Sequence, residues 1–361
     1  MEFTEKISVV MPTFNTPIPY LKEAINSILN QTFQDFEFII IDDCSTNGSE
    51  EFLSDLQDKR VKVIRNSHNL GVPKSLNIGL SLAKGKYIAR MDADDISVKY
   101  RFQKQYDYMK RNPDVLCLGA GIVNFEQKKI LNYYVPNLKD QQILRIKYLF
   151  NYVGPIHPTL FINNEILKKH NICYDSDMEN AEDYALYIQI SRHPEWGKIE
   201  SLNEVLLYKR SSKEQVSHTR IAKDKFEESQ KSLLKELLDE ASEEDYKTHC
   251  FYSSIQSSAV IDQESFNYYN QLIKLNNQLL IYDKKKFKKV INEDIKPKLL
   301  LNTIRNKKGL VHKIKIFRYT SLTSLINCVI KLAMTRFRYM KAIRQLKRSS
   351  DYNYFLETRA F

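Results

Sequence analysis

The chain has 361 residues, more than one compact unit ordinarily holds, and two domains are expected. An apolar content of 43% excludes wholesale disorder, and 9 glycines with 10 prolines exclude a collagenous or low-complexity chain. The formal charge of +11 is unevenly placed: residues 296–361 hold 16 Lys and Arg against Asp351 and Glu357, a net of +14, so the remainder nets −3 and the basic character belongs to a tail.

The first hundred residues alternate strands with helices. Ile7–Met11 (ISVVM) is a short apolar run, as a buried parallel strand requires. After TPIP, the residues Leu21, Ala24, Ile25, Ile28 and Leu29 share one helical face. Phe36–Ile41 is a second strand, halted by Asp42-Asp43, and STNGSEE turns into a polar helix start. Val61–Arg65 is a third strand. Asn69-Leu70-Gly71 leads into a helix with Leu76, Ile78 and Leu80, ended by Gly85. Tyr87–Met91 is a fourth strand running into Asp92-Ala93-Asp94-Asp95. Strands at this spacing with helices between them imply βαβ units and a mostly parallel sheet, in which ligands bind beyond the carboxyl ends of the strands. Three of the four strands end there in polar residues: Pro12-Thr13-Phe14-Asn15, Asp42-Asp43 and Asp92 to Asp95. Val115–Phe125 reads as a further strand, and from about residue 219 the pattern turns helical, with Leu233, Leu234, Leu237 and Leu238 in one stripe.

The candidate chemistry sits at those strand ends. Asp92-Ala93-Asp94 can hold a hard divalent cation, Mg²⁺ or Mn²⁺, on oxygen ligands; it can also be a polar turn with Asp95 capping a helix. Asp42-Asp43 can accept hydrogen bonds from a base or ribose, or simply end a strand. Lys74 and Arg90 can pair with a diphosphate, or be solvated charges. Glu182-Asp183 opens a helix carrying Ala185, Leu186, Ile188 and Ile190; the pair either complements the helix dipole or offers a general base to the cleft. His157 sits between prolines in GPIHPT, in an expected loop, where a lone histidine is more often structural than functional. Neither G-x-G-x-x-G nor G-x-x-x-x-G-K-[ST] follows the first strand, which counts against a dinucleotide-binding dehydrogenase and a P-loop kinase.

Together SVVMPTFN, IIIDDCSTNGSEE, NLGVPKSLNIGLSLAKGKYIARMDADD and AEDYALYIQI resemble the bacterial family 2 glycosyltransferases, over roughly residues 5–220. NIGL, YIARMDADD, PIH, AEDY and EQVS are similar to lipooligosaccharide β-1,3-N-acetylglucosaminyltransferases, enzymes of lipooligosaccharide or capsule synthesis. The resemblance implies an α/β, Rossmann-like GT-A fold over residues 1–218; beyond it, the apolar pattern and charge read as a helical region (219–295) and a basic amphipathic tail (296–361). It implies an inverting, metal-dependent transfer from a UDP-sugar to a hydroxyl of a glycan or lipid-linked glycan acceptor. Pro12, Phe14 and Asp43 match residues holding uracil and ribose; with Thr13, Asn15, Lys74, Arg90 and Asp92 they form the expected nucleotide-binding set. Asp94 matches the carboxylate on the metal, with Asp92 as the motif's other acid. Asp183 matches the base, and Glu182 and His157 match acceptor-side positions. Relatives often close the domain with Y-R-x-H-x-x-Q-x-S, whereas this chain reads YKRSSKEQVS; Arg210 is then the expected substitute on the diphosphate.

Two other readings share these features. A nucleotidyltransferase also pairs acids on a nucleotide-binding sheet, but usually has a Gly-rich basic loop where Pro12–Asn15 stands. A non-catalytic scaffold on a transferase fold would not need the acids at Asp92, Asp94 and Asp183. Five single cysteines (Cys44, Cys117, Cys173, Cys250, Cys328) without a C-x-x-C pair speak for a reducing compartment. The expectation is a cytoplasmic protein. In residues 296–350, Lys and Arg interleave with Leu, Ile and Phe, which suits either an anionic membrane surface, at the inner face of the cell membrane, or the charged outer face of packed helices. No motif supports nucleic-acid binding.

Overall fold

The computed structural model describes residues 5–127, 129–136, 138–150, 154–211, 220–238, 242–253, 263–297 and 299. Gln215, Val216, Ser217 and His218, and nearly all of the basic tail, lie outside the described residues.

The chain forms two compact units, one built from residues 1–139 and 154–225 and the other from 140–153 and the segment that begins at Phe226. The first unit opens with β1 (Glu5–Thr13), α1 (Ile18–Leu29), β2 (Phe36–Asp42), α2 (Ser49–Ser54), β3 (Val61–Arg65), α3 (Val72–Leu82) and β4 (Gly85–Arg90). Ile7, Val9, Val10 and Met11 of β1 are all buried, because β1 is flanked by β2 and β4 and covered on both faces. Prolines near the start of α1 and of α3 remove an amide that the first helical turn leaves unbonded anyway. The buried face of α1 is Leu21, Ala24, Ile25 and Ile28, as the helical spacing predicts.

After β4 the chain makes β5 (Ile96–Ser97), α4 (Arg101–Arg111), β6 (Val115–Glu126) and β7 (Lys129–Tyr134). It then leaves to place α5 (Gln141–Tyr148) in the second unit. It returns through a 3₁₀ turn (His157–Thr159), β8 (Phe161–Asn163), α6 (Asn164–Lys169), α7 (Glu182–Arg192) and β9 (Lys198–Arg210). The strand order is β3-β2-β1-β4-β8-β6-β9-β5, with β7 pairing β6. β3, β2, β1 and β4 are parallel; β8 then enters antiparallel between β4 and β6, and β6 runs parallel to β9. The sheet is thus parallel in the half that the βαβ spacing defines and mixed beyond it.

The second unit adds α8 (Arg220–Leu234), which begins just before it, then α9 (Glu243–Ser253), α10 (Gln263–Leu279) and α11 (Lys284–Val290), followed by a π-helical turn, Ile291–Ile295. Its centre is polar as well as apolar. His249 of α9, fully buried, donates from Nε2 to Leu149 O at 2.8 Å, and its Nδ1 accepts from Tyr268 Oη. Phe150 packs beside His249, Tyr269 and Phe287. The segment that leaves the first unit is therefore anchored through the Leu149 carbonyl, which accepts from His249 and also from Gln230 Nε2 at 3.5 Å. Among the described residues, no helix is long and apolar enough to cross a membrane.

Candidate active site

Strand register sets the floor of the site. Thr13 lies opposite Asp42 on β2, and Val10 lies opposite Arg90 on β4, so the segments after β1, β2 and β4 emerge at one edge. There a cleft of about 200 Å³, open to solvent, is lined by Pro12, Thr13, Phe14, Asp43, Arg90, Asp92 and Asp94, with Thr16, Val72, Ser75 and Ala93. Seven of the residues expected from the sequence thus share one cavity. Phe14 is 48% exposed at its wall, a large apolar ring held in water.

Asp43 is buried and already engaged. Its Oδ1 accepts from Asn66 Nδ2 at 2.7 Å and Leu70 N at 2.8 Å, and its Oδ2 accepts from Gly71 N at 2.9 Å. These bonds fix the loop that opens α3, and they leave lone-pair capacity on Oδ2 facing the cleft. Asp42 is turned away, accepting from Ser45 N at 3.0 Å and paired with Arg65.

Asp92, Asp94 and Asp95 bring carboxylate oxygens within 4.8 Å of one another. Burial, then the Asp92 charge, pushes the Asp94 carboxyl up to about 6, against the pull of Arg210 and Lys209. Asp95 is wholly buried, and burial followed by the charges of Asp94 and Asp92 raises it well above the usual carboxylate range. Its Oδ1 accepts from Arg210 N at 2.8 Å, and its Oδ2 is buried with no hydrogen-bond partner among the described residues. A crowded, oxygen-only donor set with a buried, unpartnered carboxylate oxygen fits a hard divalent cation. Asp95 does not cap a helix: α4 starts at Arg101, with Tyr100 at its N-cap.

Two buried arginines support this loop. Arg90 Nη1 lies 2.5 Å from Asp92 Oδ1, and its buried Nε has no hydrogen-bond partner among the described residues. Arg101, also wholly buried, donates to Gln105 Oε1 at 2.9 Å and to the carbonyl of Arg90 at 2.8 Å. Burial and the nearby Arg90 charge lower its pKa to about 9, opposed by Asp95 and Asp92. Arg210 departs from expectation. Its Nε donates to Asp94 O at 2.8 Å, its Nη2 pairs with Glu23 Oε2 at 2.5 Å, and its guanidinium lies 3.9 Å from the Tyr20 ring centroid. Buried and so engaged, it braces the acidic loop rather than reaching for a diphosphate.

The other expected residues divide. Lys74 is exposed on α3 and is not part of the cleft lining. Asn15, at φ +50°, ties two loops together: its N donates to Ser45 Oγ at 3.0 Å and its Oδ1 accepts from Thr46 N at 2.8 Å. Asp183, half-buried in the first turn of α7, accepts from Tyr184 N at 2.7 Å. The loop before α7 is held against α3: Asn77 donates to Tyr174 O at 2.8 Å and accepts from Tyr174 N at 2.9 Å. Asp183 is not among the lining residues, but its charge and that of Asp92 both act on Glu182 between them. Burial, then Asp183, pushes Glu182 up to about 7, while Arg90 opposes the rise.

His157 and Glu182, expected on the acceptor side, are 7% and 8% exposed and are not among the residues lining the cleft. His157 Nε2 lies 2.9 Å from Tyr174 Oη, and its Nδ1 is 3.6 Å from Glu182 Oε1, too far for a hydrogen bond. Burial, then the Arg90 charge, lowers the His157 pKa and keeps the ring neutral. The sequence does not announce Asp95, Arg101 or the bracing role of Arg210; only the third acid of DADD signals them, and it equally suits a helix cap.

Comparison with known proteins agrees with this layout. The model described as Glycosyl transferase family 2 matches residues 8–170. An O-antigen biosynthesis glycosyltransferase of Escherichia coli, WbnJ, is 34% identical over 221 residues, covering 57% of this chain and 80% of that protein. An uncharacterized glycosyltransferase of Methanocaldococcus jannaschii is 38% identical over 187 residues, which cover 51% of this chain. The chain spans 63% of that relative's length. Among solved structures, Staphylococcus aureus TarS 1–349 in complex with UDP-GlcNAc superposes with a TM-score of 0.53 at 19% identity, covering 87% of this chain and 89% of that one. That likeness is one of fold, and it matches the expected GT-A sheet followed by a helical region.

Proposed function

The chain belongs to glycosyl transferase family 2, and from that footing we propose that it transfers a sugar, with inversion, from a UDP-sugar to a hydroxyl of a glycan acceptor in surface polysaccharide synthesis. The observation that carries this reading is the shared cleft of Asp43, Arg90, Asp92 and Asp94 at the carboxyl ends of parallel strands. Phe14 and Val72 offer apolar faces to a base, and Asp43 Oδ2 offers an acceptor to a base N–H or a ribose hydroxyl. Arg90, paired with Asp92 in the cleft lining, brings a positive charge toward diphosphate or sugar oxygens.

Asp92 and Asp94 would hold Mn²⁺ or Mg²⁺, whose charge offsets the charge developing on the departing diphosphate. Asp183 takes the proton from the acceptor hydroxyl as that oxygen attacks the anomeric carbon. The new bond forms opposite the one that breaks, so a single displacement inverts the centre and no carboxylate nucleophile is required. An N-acetylhexosamine donor is supported by the bound UDP-GlcNAc of TarS, and a polysaccharide acceptor by the name of the E. coli relative. A lipid-linked acceptor would bring the enzyme, without a membrane span among its described residues, to the inner face of the cell membrane as a peripheral protein.

A panel of UDP-sugars incubated with the full chain and Mn²⁺, read by UDP release, tests the reading because slow donor hydrolysis needs no acceptor. Release from one or two donors, abolished by chelation, is expected. No release from any UDP-sugar, or release indifferent to metal, would overturn it.

A further inference from the structure

We propose that the turn joining α10 to α11 is a docking site for an anionic lipid bilayer. Leu279, the last residue of α10, and Leu280 are 51% and 60% exposed, the most exposed large hydrophobic side chains among the described residues. Leu280 adopts φ +60°, the left-handed conformation that glycine or asparagine normally supplies after a helix. The turn is held from inside. Leu280 N donates to Asn276 O at 2.9 Å. The buried Asn276 side chain donates to Tyr282 O at 3.0 Å and accepts from Tyr282 N at 2.8 Å. The Tyr282 ring stacks on Phe287 with centroids 5.4 Å apart. Two consecutive leucines are therefore presented to water on a rigid turn, one of them in a conformation that leucine rarely takes.

The charge beside them selects the partner. Lys284, Lys285, Lys288 and Lys289 of α11 are exposed at spacings that share one face, opposite buried Phe287 and Val290. None of the four has an ion-pair partner among the described residues, whereas Lys286 pairs with Asp140 Oδ2 at 2.9 Å. An apolar tip rimmed by unpaired lysines matches a bilayer with anionic headgroups: the leucines enter the acyl boundary and the ammonium groups stay among the phosphates. The tail that follows in sequence carries the same sign of charge. The site is separate from the transfer chemistry and does not depend on it.

Co-sedimentation of the full chain with phosphatidylcholine vesicles, with and without about a third phosphatidylserine, tests the proposal. Binding to the anionic vesicles, weakened by added salt, is expected. Leu279→Gln with Leu280→Gly should lower the partition coefficient about tenfold or more, while glycine at 280 suits the left-handed backbone and keeps the thermal melt unchanged. Replacing Lys284, Lys285, Lys288 and Lys289 with Gln should remove the preference for anionic lipid. No binding by the wild type, or binding unchanged in both variants, would overturn the proposal. So would loss of a lipid-free dimer in the leucine variant with lipid binding intact, which would assign the turn to a second copy of the chain.

Discussion

Asp183 differs from the other acids of the site in what surrounds it. Asp94 and Asp95 are crowded by the acids of their own loop, whereas Asp183 sits half-buried in the first turn of α7, beside Glu182. A carboxylate at the amino end of a helix suits proton removal from an acceptor hydroxyl. Asp183→Asn keeps the shape and the bond from Tyr184 N while removing the base. It should cut turnover by ~10²- to 10⁴-fold and leave UDP affinity within about twofold. Near-normal turnover, measured with any donor that supports release, would remove Asp183 from that role. Asp43, Asp92 and Asp94 were legible as residues because acids at strand ends have few structural reasons to cluster. His157 and Glu182 were legible as a pair but not as buried, since nothing in GPIHPT or AEDY distinguishes a buried group from one lining a cleft.

At the level of elements, the site depends on how closely β1, β4 and α3 approach. A Cβ at Gly85 would lie 2.4 Å from Ser8 N and 2.5 Å from Ile7 C, and one at Gly79 would lie 2.3 Å from Val10 Cγ1. The backbone of β1 cannot yield as a long side chain can. Gly85→Ala should therefore destabilise the first unit by about 1–3 kcal/mol. It should lower the thermal midpoint followed by fluorescence of Trp196, the single tryptophan, which lies in that unit. An unchanged midpoint would mean that β4 is not packed on β1 as described. Of the strands before residue 91, β1, β2 and β4 were legible as short, largely apolar, buried runs, whereas β3, at the sheet edge with Val63 exposed, shows only as VKVIR between turns. β9 was not legible: in KIESLNEVLLYKR only Ile199, Leu206, Leu207, Tyr208 and Arg210 are buried, and register shifts against β6 break any alternation. β5, two residues long, exists only through its pairing with β9.

Across the whole molecule, the candidate cleft belongs to the first unit and a buried polar centre to the second. The excursion of residues 140–153 into the second unit had no marker in sequence, because its apolar positions suit either unit equally. His249 ties that excursion in place and makes its unit sensitive to acid. Burial lowers the His249 pKa to about 4, against an ordinary value of 6.5, so the unfolded chain takes up a proton before the folded one does. The contribution of the neutral ring is present above about pH 6.5, falls as the pH drops toward 4, and amounts to on the order of 3 kcal/mol over that window. Hydrogen exchange of α9 and α10 peptides, corrected for intrinsic rate, should accelerate from pH 7 to pH 5, and His249→Gln should flatten the profile. A profile equally steep in that variant would place the acid sensitivity elsewhere.

The acidic loop after β4 carries the rest, and titration calorimetry of UDP into the full chain, with Mn²⁺ and with chelator, addresses it directly. Wild-type protein should bind UDP in Mn²⁺ and lose at least about tenfold in affinity on chelation, and Asp94→Ala should bind equally weakly in both conditions. UDP binding that is indifferent to Mn²⁺ in the wild type, or that survives Asp94→Ala undiminished, would contradict a cation held between these carboxylates and the nucleotide.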